Sequence, residues 1–535
     1  MILTFRWNRF TNRTHPKENV MKLHKHNLCI AGLAVAISAA AALAQVAPEL
    51  PEDENLAALA DEQVVANLFH QVPVPEGARP LPQSRSEIAA VPDINLLRRL
   101  TIGSRINLNV SEGNNLRMTV TRIERRPDDT FSIRGTLDGI PHSSVLMAIQ
   151  EDALATDITA PTLQLHYKTR YIRDGIHLVC NIDDMLYVPC QGTATPTETG
   201  PNDVDVPEAW EPITEGVPPE RLESGFGERG SCSPTVVFDN MIVYTDVARI
   251  AAGGTSAIQA ECQLATDRVN EAYENSPISA RMRLVRRYEI TYDEVGTYED
   301  HLDRLTGTNG QGGAAPWTTT RTNRDTFNAD FCSLWVDDRE FCGLAWCTSG
   351  ANRAYQVTAW SCAAGNLTHA HEVGHNQGCG HDAADANGGC GYSTYAFGWR
   401  FNGNSGTQYR TVMARVPGTR IPYFSNPSVN FDGQPTGTAT ADNELVIEER
   451  KNTCAAFEFT RWDIFVDAAH FGTELGTNTA PYNTITEGVA NLDDYATGAS
   501  EYPNLYLKSD FATNITISKP MTITACGGAA TIGVP

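Results

Sequence analysis

The chain has 535 residues, 41% of them hydrophobic, which is enough for two to four domains with cores of ordinary size. Its formal net charge of -23 argues against a nucleic-acid partner, because phosphate binding needs clustered Lys and Arg that this excess of acid opposes. Thirteen cysteines are too many to be incidental, and their state depends on the compartment.

The first informative stretch is MKLHKHNLCIAGLAVAISAAAALAQ, beginning at Met21. Lys22 and Lys25 precede an apolar run, Leu28–Ala44, that closes on Ala42-Leu43-Ala44, the layout of a secretory signal cut after Ala44. The run falls short of the ~20 apolar residues of a membrane-spanning helix, so a signal is preferred to an uncleaved anchor. Residues 1–20 fit no part of a signal, and translation from Met21 accounts for them. No later stretch approaches transmembrane length. The expectation for 1–44 is therefore a signal region, leaving a secreted, soluble protein with no stable membrane insertion and oxidised cysteines.

Residues 45 to about 80 are rich in Ala, Glu and Pro, with a short helical patch at Glu62–His70. Between Ile94 and Asp184 the pattern turns to alternation: RINLNV, RMTVTRI, FSIRGTL, SSVLMAI and LQLHYKTRYI read as strands separated by Gly, Asp and Asn turns. Residues 45–190 thus form a β-rich unit. Residues 191–230 carry Pro, Gly, Thr and Glu with almost no apolar periodicity, and read as an exposed linker with Arg221 and Arg229 as cutting points, or as a plain tether.

Mixed elements follow. VVFDNMIVYTD, ISARMRLVRRYEI, ADFCSLWVDD and YQVTAWSC read as strands, and TSAIQAECQLATDRVNEAY as a helix with Ile258, Cys262, Ala265 and Val269 on one face. They lead into HEVGHNQGCGHD, residues 371–382. Asn366 or Thr368 is placed to cap a helix there, and Gly378 to end it.

On that helix His371 and His375 are four apart and project from one face, so their ring nitrogens can share one ion. Glu372 is directed beside the metal and Gly378 reverses the chain, which returns His381 as a third ligand. Three neutral imidazoles leave zinc one open position for water, whose proton Glu372 can take, and the product attacks a peptide carbonyl. A distant glutamate ligand is nearly excluded, since the next glutamate after Glu372 is Glu444. Asp382 and Asp385 remain conceivable ligands. The bare alternative, a helix with satisfied histidines, becomes improbable once HExxH extends to HExxHxxGxxHD.

His371 to Asp382 resembles the metzincin zinc-protease signature, and Asp382 after the third histidine resembles the adamalysin or reprolysin-like branch, including its secreted bacterial members. The resemblance spans about Ser231 to Cys454 and is densest from Asn366 to Pro427. It implies a methionine turn beneath the zinc, for which Met413, 32 residues after His381, is suited. It also implies that Asp382 is a structural acid and that Ile421, Pro422, Tyr423 and Phe424 wall a specificity pocket. Cys379 departs from the pattern. A disulfide, with Cys390 as partner across the loop, is the expectation, against a thiolate that competes for zinc. Cys332, Cys342, Cys347 and Cys362 are expected to staple the same domain.

The β-rich unit sits where the family carries a propeptide. Cys180 and Cys190 allow two readings: they pair with each other, which is the expectation, or Cys190 is a latency thiol occupying the open position on zinc. After Cys454, PYNTITEGVANL, NLYLKSD and NITISKPMTITACGGAATIG read as short strands and resemble opening coils of a parallel β-helix.

The whole is an α+β fold: a metzincin-like mixed sheet with an active-site helix at 231–455, preceded by a β-rich propeptide and followed by a short β-helix-like segment at 456–535. The expected function is a secreted zinc metalloendopeptidase acting on protein or peptide substrates, with one catalytic Zn2+ and nothing in the sequence indicating Ca2+. The oligomeric state is left open. The rivals are a secreted adhesion or binding protein that retains a metalloprotease fold, which the intact Glu372 disfavours, and a polysaccharide binder dominated by the C-terminal segment.

Overall fold

The computed structural model describes residues 66–111, 114–191, 236–347, 350–385, 392–458, 461–494, 499–513, 515–526 and 530–533. The signal region, the linker beyond Gln191 and its Arg221 and Arg229, Cys390, and Glu62–Val65 of the helical patch at Glu62–His70 lie outside them.

The N-terminal unit is one antiparallel sheet of nine strands: β1 (Phe69–Val72), β2 (Ser84–Pro92), β3 (Arg105–Ser111), β4 (Asn114–Arg125), β5 (Phe131–Leu137), β6 (Ser144–Gln150), β7 (Ala153–Ala160), β8 (Leu165–Arg173) and β9 (Ile176–Ile182). A short helix, α1 (Ile94–Arg99), joins β2 to β3. Strands β3 to β9 follow one another across the sheet, and β2 then β1 continue it beyond β9. Phe69 and His70, expected at a helix end, instead pair with Pro92 and Val91 as part of β1.

In β6 and β7 every residue is buried, although the sequence alternates. The two faces go to different cores: Val145, Met147 and Ile149 join a cluster with Ile106 and Ile133, while Leu146, Ala148 and Ala155 join Ala260 and Leu264 of the next unit.

That unit holds a five-stranded sheet in the order β11-β10-β12-β14-β13, from β10 (Val236–Thr245), β11 (Ala280–Ile290), β12 (Phe331–Val336), β13 (Gly343–Ala345) and β14 (Tyr355–Ala359). All neighbours run parallel except β13, which is antiparallel to β14 and forms the edge. The helices are α2 (Asp246–Ala252), α3 (Thr255–Asn275), α4 (Tyr298–Thr306), α5 (Trp317–Thr326), α6 (Thr368–Asn376) and α7 (Asn443–Cys454). The sheet strands read as apolar runs because helices cover a largely parallel sheet.

Helix α3 lies between the two sheets. Its apolar stripe of Ile258, Cys262, Ala265 and Val269 is fully buried, as its spacing predicts. Its polar face is buried too, where solvent is the default for an amphipathic helix. Glu261 meets Lys168 at 3.2 Å, Asp267 meets Arg126 at 2.9 Å, and Arg268 meets Asp157 at 2.7 Å, each partner coming from the N-terminal sheet.

The C-terminal segment has three parallel strands, Asp463–Val466, Asn504–Leu507 and Thr522–Ala525. PYNTITEGVANL, expected to be extended, contains a helix instead, α8 (Ile485–Asn491). The Thr484 hydroxyl accepts from the backbone of Glu487 and caps it, a capping pattern of the T-x-x-E type that outweighs the β-branched residues around it. Arg281 and Arg283 of β11 anchor the segment: Arg281 makes a bidentate pair with Glu501 (2.6 and 2.8 Å) and Arg283 reaches Asp463 at 3.0 Å.

His166 of β8 lies buried between Asp157 (2.7 Å) and Asp184 (2.6 Å). Burial opposes its charge, but the two carboxylates outweigh burial and hold it up at about 9. A raised value means the charged pairing stabilises the fold fully below pH about 6.5 and is lost as pH climbs through about 9. The stability difference between wild type and His166→Gln, followed through Tm, is therefore expected to be largest near pH 6, on the order of 3 kcal/mol, and to shrink toward pH 10. A difference that does not vary with pH would contradict this assignment.

Candidate metal centre

Every residue of α6 is buried, an unusual place for THAHEVGHN. Neither Asn366 nor Thr368 caps it. Leu367 takes the N-cap position at φ 54 with no side-chain cap, and the Asn366 amide donates instead to the Thr368 hydroxyl at 3.0 Å. The helix stops at Asn376, and Gly378 at φ +104 takes the left-handed turn expected of it. Strand β15 (Gly380–Asp382), paired with β16 (Phe397–Gly398), then carries His381 back to the helix.

The structure brings the three histidines together. Their Nε2 atoms lie 3.2 Å (His371–His381), 3.1 Å (His371–His375) and 3.1 Å (His375–His381) apart. His371 Nδ1 donates to the Val412 carbonyl at 2.8 Å and His375 Nδ1 to the Cys379 carbonyl at 2.9 Å, which places the Nε2 lone pairs inward. Burial drives His371 well below the ordinary imidazole value, His375 to about 4 and His381 to about 2. The rings are neutral, as ligands must be. Four-coordinate bonds of about 2.0–2.1 Å set donor nitrogens roughly 3.3 Å apart, so this trio fits a tetrahedral divalent metal.

Glu372 is buried beside them, and neither of its carboxylate oxygens has a hydrogen-bond partner among the described residues. Burial pushes it up to about 8, with the Cys190 thiol, Arg420 and Arg415 pulling it partway back. Gly343 in β13 makes its room: a Cβ there would collide with the Glu372 carboxylate.

Met413 is fully buried, and its sulfur lies against Gly374 of α6, where a Cβ would strike it. Asp382 pairs with Arg400 and accepts from the Arg415 backbone at 3.0 Å, tying β15 to the segment after Met413. Ile421 and Phe424 are fully buried in two different clusters, Ile421 with Tyr409 and Phe431, Phe424 stacked on Tyr273 at 5.7 Å. Pro422 is buried and Tyr423 half-buried. Phe424 also lies against Gly374 of α6, and Arg420, just before this stretch, is close enough to Glu372 to lower its pKa.

The cysteines depart from expectation. Cys342 and Cys362 form a disulfide and Cys347 is also disulfide-bonded, but Cys332 is a free thiol in the apolar cluster of β12. Cys379 is likewise a free buried thiol, so the disulfide to Cys390 is not made. The turn at Gly378 aims Cys379 inward, 3.7 Å from the Asn443 carbonyl and in one cluster with Val446.

Cys180 and Cys190 do not pair. Cys180 stays in β9, while the chain leaves the sheet at Asp184–Leu186 and runs to the edge of the second sheet. There the Cys342 N–H donates to the Pro189 carbonyl at 3.2 Å and the Gln191 N–H to the Gly343 carbonyl at 3.0 Å. Cys190 thus reaches the centre: its Sγ and ligand atoms of His371 and Glu372 lie within 4.8 Å of one another.

Sequence reasoning passed over three arginines at this site, Arg410, Arg415 and Arg420. Arg410 is buried, and the other two are half-buried. Their signal was on view, one cation every five residues around Met413 in RTVMARVPGTR.

Residues 237–441 match the model of the metallo-peptidase family M12B, reprolysin-like. A peptidyl-Asp metalloendopeptidase of Xanthomonas campestris pv. campestris is 30% identical over 60% of this chain and 72% of its own length. The chain belongs to the reprolysin-like metallopeptidase family. A peptidyl-Asp metalloendopeptidase of Stenotrophomonas maltophilia (strain K279a) is 34% identical over 44% of this chain, and the match spans 55% of that relative's length. One of Pseudomonas fragi is 29% identical over 35% of this chain and 98% of its own length. Among the described residues no helix is long and apolar enough to cross a membrane.

One equivalent of divalent metal per chain is expected by elemental analysis, and none in His375→Ala. At a free concentration a thousand times the Kd, the metal should stabilise the fold by about 4 kcal/mol, read as a rise in Tm. Retention of metal by His375→Ala would remove the residue from the ligand set.

Proposed function

We propose that this chain is an exported zinc metalloendopeptidase, made as a latent precursor, that hydrolyses protein substrates at aspartate residues. The observation that carries the reading is three neutral imidazole nitrogens converging beside one buried carboxylate, at a sheet edge along which an extended stretch of chain already lies. Zinc held by His371, His375 and His381 would supply Lewis acidity and lower the pKa of the attacking water toward 7.

The chain's own groups do the rest. Glu372 accepts the proton of the water and delivers it to the leaving amine, so no side-chain nucleophile is required. Gly343 keeps space for that carboxylate and lets the backbone of β13 hold an extended substrate. Met413 supports α6 from beneath, and Asp382 braces β15. Specificity for aspartate rests on the names of the relatives, all peptidyl-Asp metalloendopeptidases. Export rests on the signal pattern ending at Ala44 and on the Cys342–Cys362 disulfide, which persists in an oxidising compartment.

Residues 45–190 act as the propeptide and 191–230 as the segment cut on maturation. Pro189–Gln191 lies on the edge strand and Cys190 faces Glu372 and His371, so the intact chain blocks its own site.

Matured protein is expected to cleave aspartate-containing peptides, to stop under a chelator, and to recover with zinc. Glu372→Gln should lower kcat at least ~100-fold while zinc content is unchanged. Gly343→Ala should do nearly as much, by displacing the same carboxylate. In the unprocessed chain Cys190→Ser should release peptidase activity; unaltered latency would rule the thiol out.

A further inference from the structure

Arg410 and Arg420 face one another in register. They occupy the last positions of β18 (Gln408–Arg410) and β19 (Thr419–Arg420), which pair as parallel strands after β17 (Arg400–Asn402). Like charges directly opposed across strands cost stability, and proteins normally relieve the cost with a carboxylate.

Among the described residues neither arginine has an ion-pair partner. Arg410 donates to the carbonyls of Gly418 (2.8 Å) and Ala414 (3.1 Å) and to the Asn366 side chain (3.4 Å). Arg420 donates to the carbonyls of Asn366 (2.6 Å) and Ala414 (3.3 Å), and its Nε is a buried donor with no hydrogen-bond partner. Burial, then the charge of Arg420, pulls Arg410 well below the ordinary guanidinium value. The two guanidinium groups are held together by neutral carbonyls and an amide.

The pair adjoins the metal centre. Asn366, which both arginines hold, lies two residues before α6, and Ala414, which both also hold, follows Met413. Arg420 also lies beside Cys190 and close enough to Glu372 to lower its pKa.

A cavity of about 20 Å³ separates the arginines from the N-terminal unit, and Asp184, which pairs with His166 at 2.6 Å, is the only carboxylate among its described lining residues. Asp184 stands six positions before Cys190, in the turn that carries the chain from β9 to the sheet edge. Gly365 lets the unit seat this closely, since a Cβ there would strike Tyr187 and Lys168.

We propose that Arg410 and Arg420 form the subsite that receives the aspartate carboxylate of the substrate, and that Asp184 stands at its mouth as a surrogate acid in the unprocessed chain. The inference rests on the peptidase reading. Removing the N-terminal unit takes Asp184 away and opens two adjacent guanidinium forks, whose unused donors match a carboxylate in bidentate fashion. A substrate asparagine has the same shape but only one acceptor oxygen and no charge.

The test uses the full-length chain loaded with zinc and cut within residues 191–230, with two peptides that differ only in Asp or Asn at one position. Wild type is expected to favour Asp by at least ~50-fold in kcat/KM, the scale of a buried charged hydrogen bond. Arg420→Met and Arg410→Met should bring that ratio below ~5-fold while the protein keeps its zinc and its Tm, and Arg420→Lys should restore part of it. If the arginines merely brace the turn through Ala414, both peptides will slow together with their ratio intact. That result overturns the subsite and leaves the peptidase standing.

If wild type cuts neither peptide, the peptidase reading is lost and binding decides the subsite. Fluorescently labelled Asp peptide must then bind the cut Glu372→Gln chain more tightly than the Asn peptide, with the preference lost on adding Arg420→Met. Equal binding overturns the proposal.

Discussion

Three imidazole nitrogens must be held within 3.2 Å of one another, lone pairs inward and without protons, and the surrounding architecture follows from that requirement. Neutrality calls for burial, so all of α6 is inside the protein although it carries four titratable side chains. Ring orientation calls for acceptors behind the rings, which the Val412 and Cys379 carbonyls provide from two loops distant from each other in sequence. Those loops need supports of their own. Gly378 makes the reversal before β15, and Asp382 joins β15 to the backbone beyond Met413.

The contact between the N-terminal sheet and α3 has a different character. Its apolar part is contributed by small and medium side chains such as Ala148, Ala155 and Ala260, and much of the remainder is charged: Lys168–Glu261, Arg126–Asp267 and Arg268–Asp157. Desolvating such ions offsets most of what their pairing returns, so an interface of this kind gives register and specificity more than strength. A continuous apolar core would weld the two units together. The charged contact instead fixes where the segment after β9 runs, so that Cys190 comes beside His371 and Glu372.

The same logic separates two kinds of buried arginine. Arg283 makes a bidentate pair with Asp239 (2.6 and 2.9 Å) and also reaches Asp463, so its charge is fully used to join the C-terminal segment to β11. Arg410 is close to as well covered and Arg420 is half-buried, and both spend donors on neutral carbonyls and an amide.

What local sequence could settle, it settled. Periodicities of two and of 3.6 placed β3, β4, β5, β6 and β8 of the first sheet, all of the second but its edge strand β13, and helix α3, and the spacing of His371, Glu372, His375, Gly378 and His381 contained the metal centre, because the helix repeat and a glycine turn bring those residues together within twelve positions. The errors arose where partners are remote in sequence. Whether Cys379 finds a disulfide or an apolar cluster depends on α7, some 64 residues on, and whether Cys190 meets Cys180 or Glu372 depends on where the chain goes after leaving β9. The polar face of α3 looks solvated until a second sheet covers it, and two arginines ten residues apart become a pair only when β18 and β19 align. Short-range geometry is written in the chain because bond rotation and the helix repeat are local; burial and charge partnership were decided only by the packed fold, since they depend on everything that comes to lie alongside.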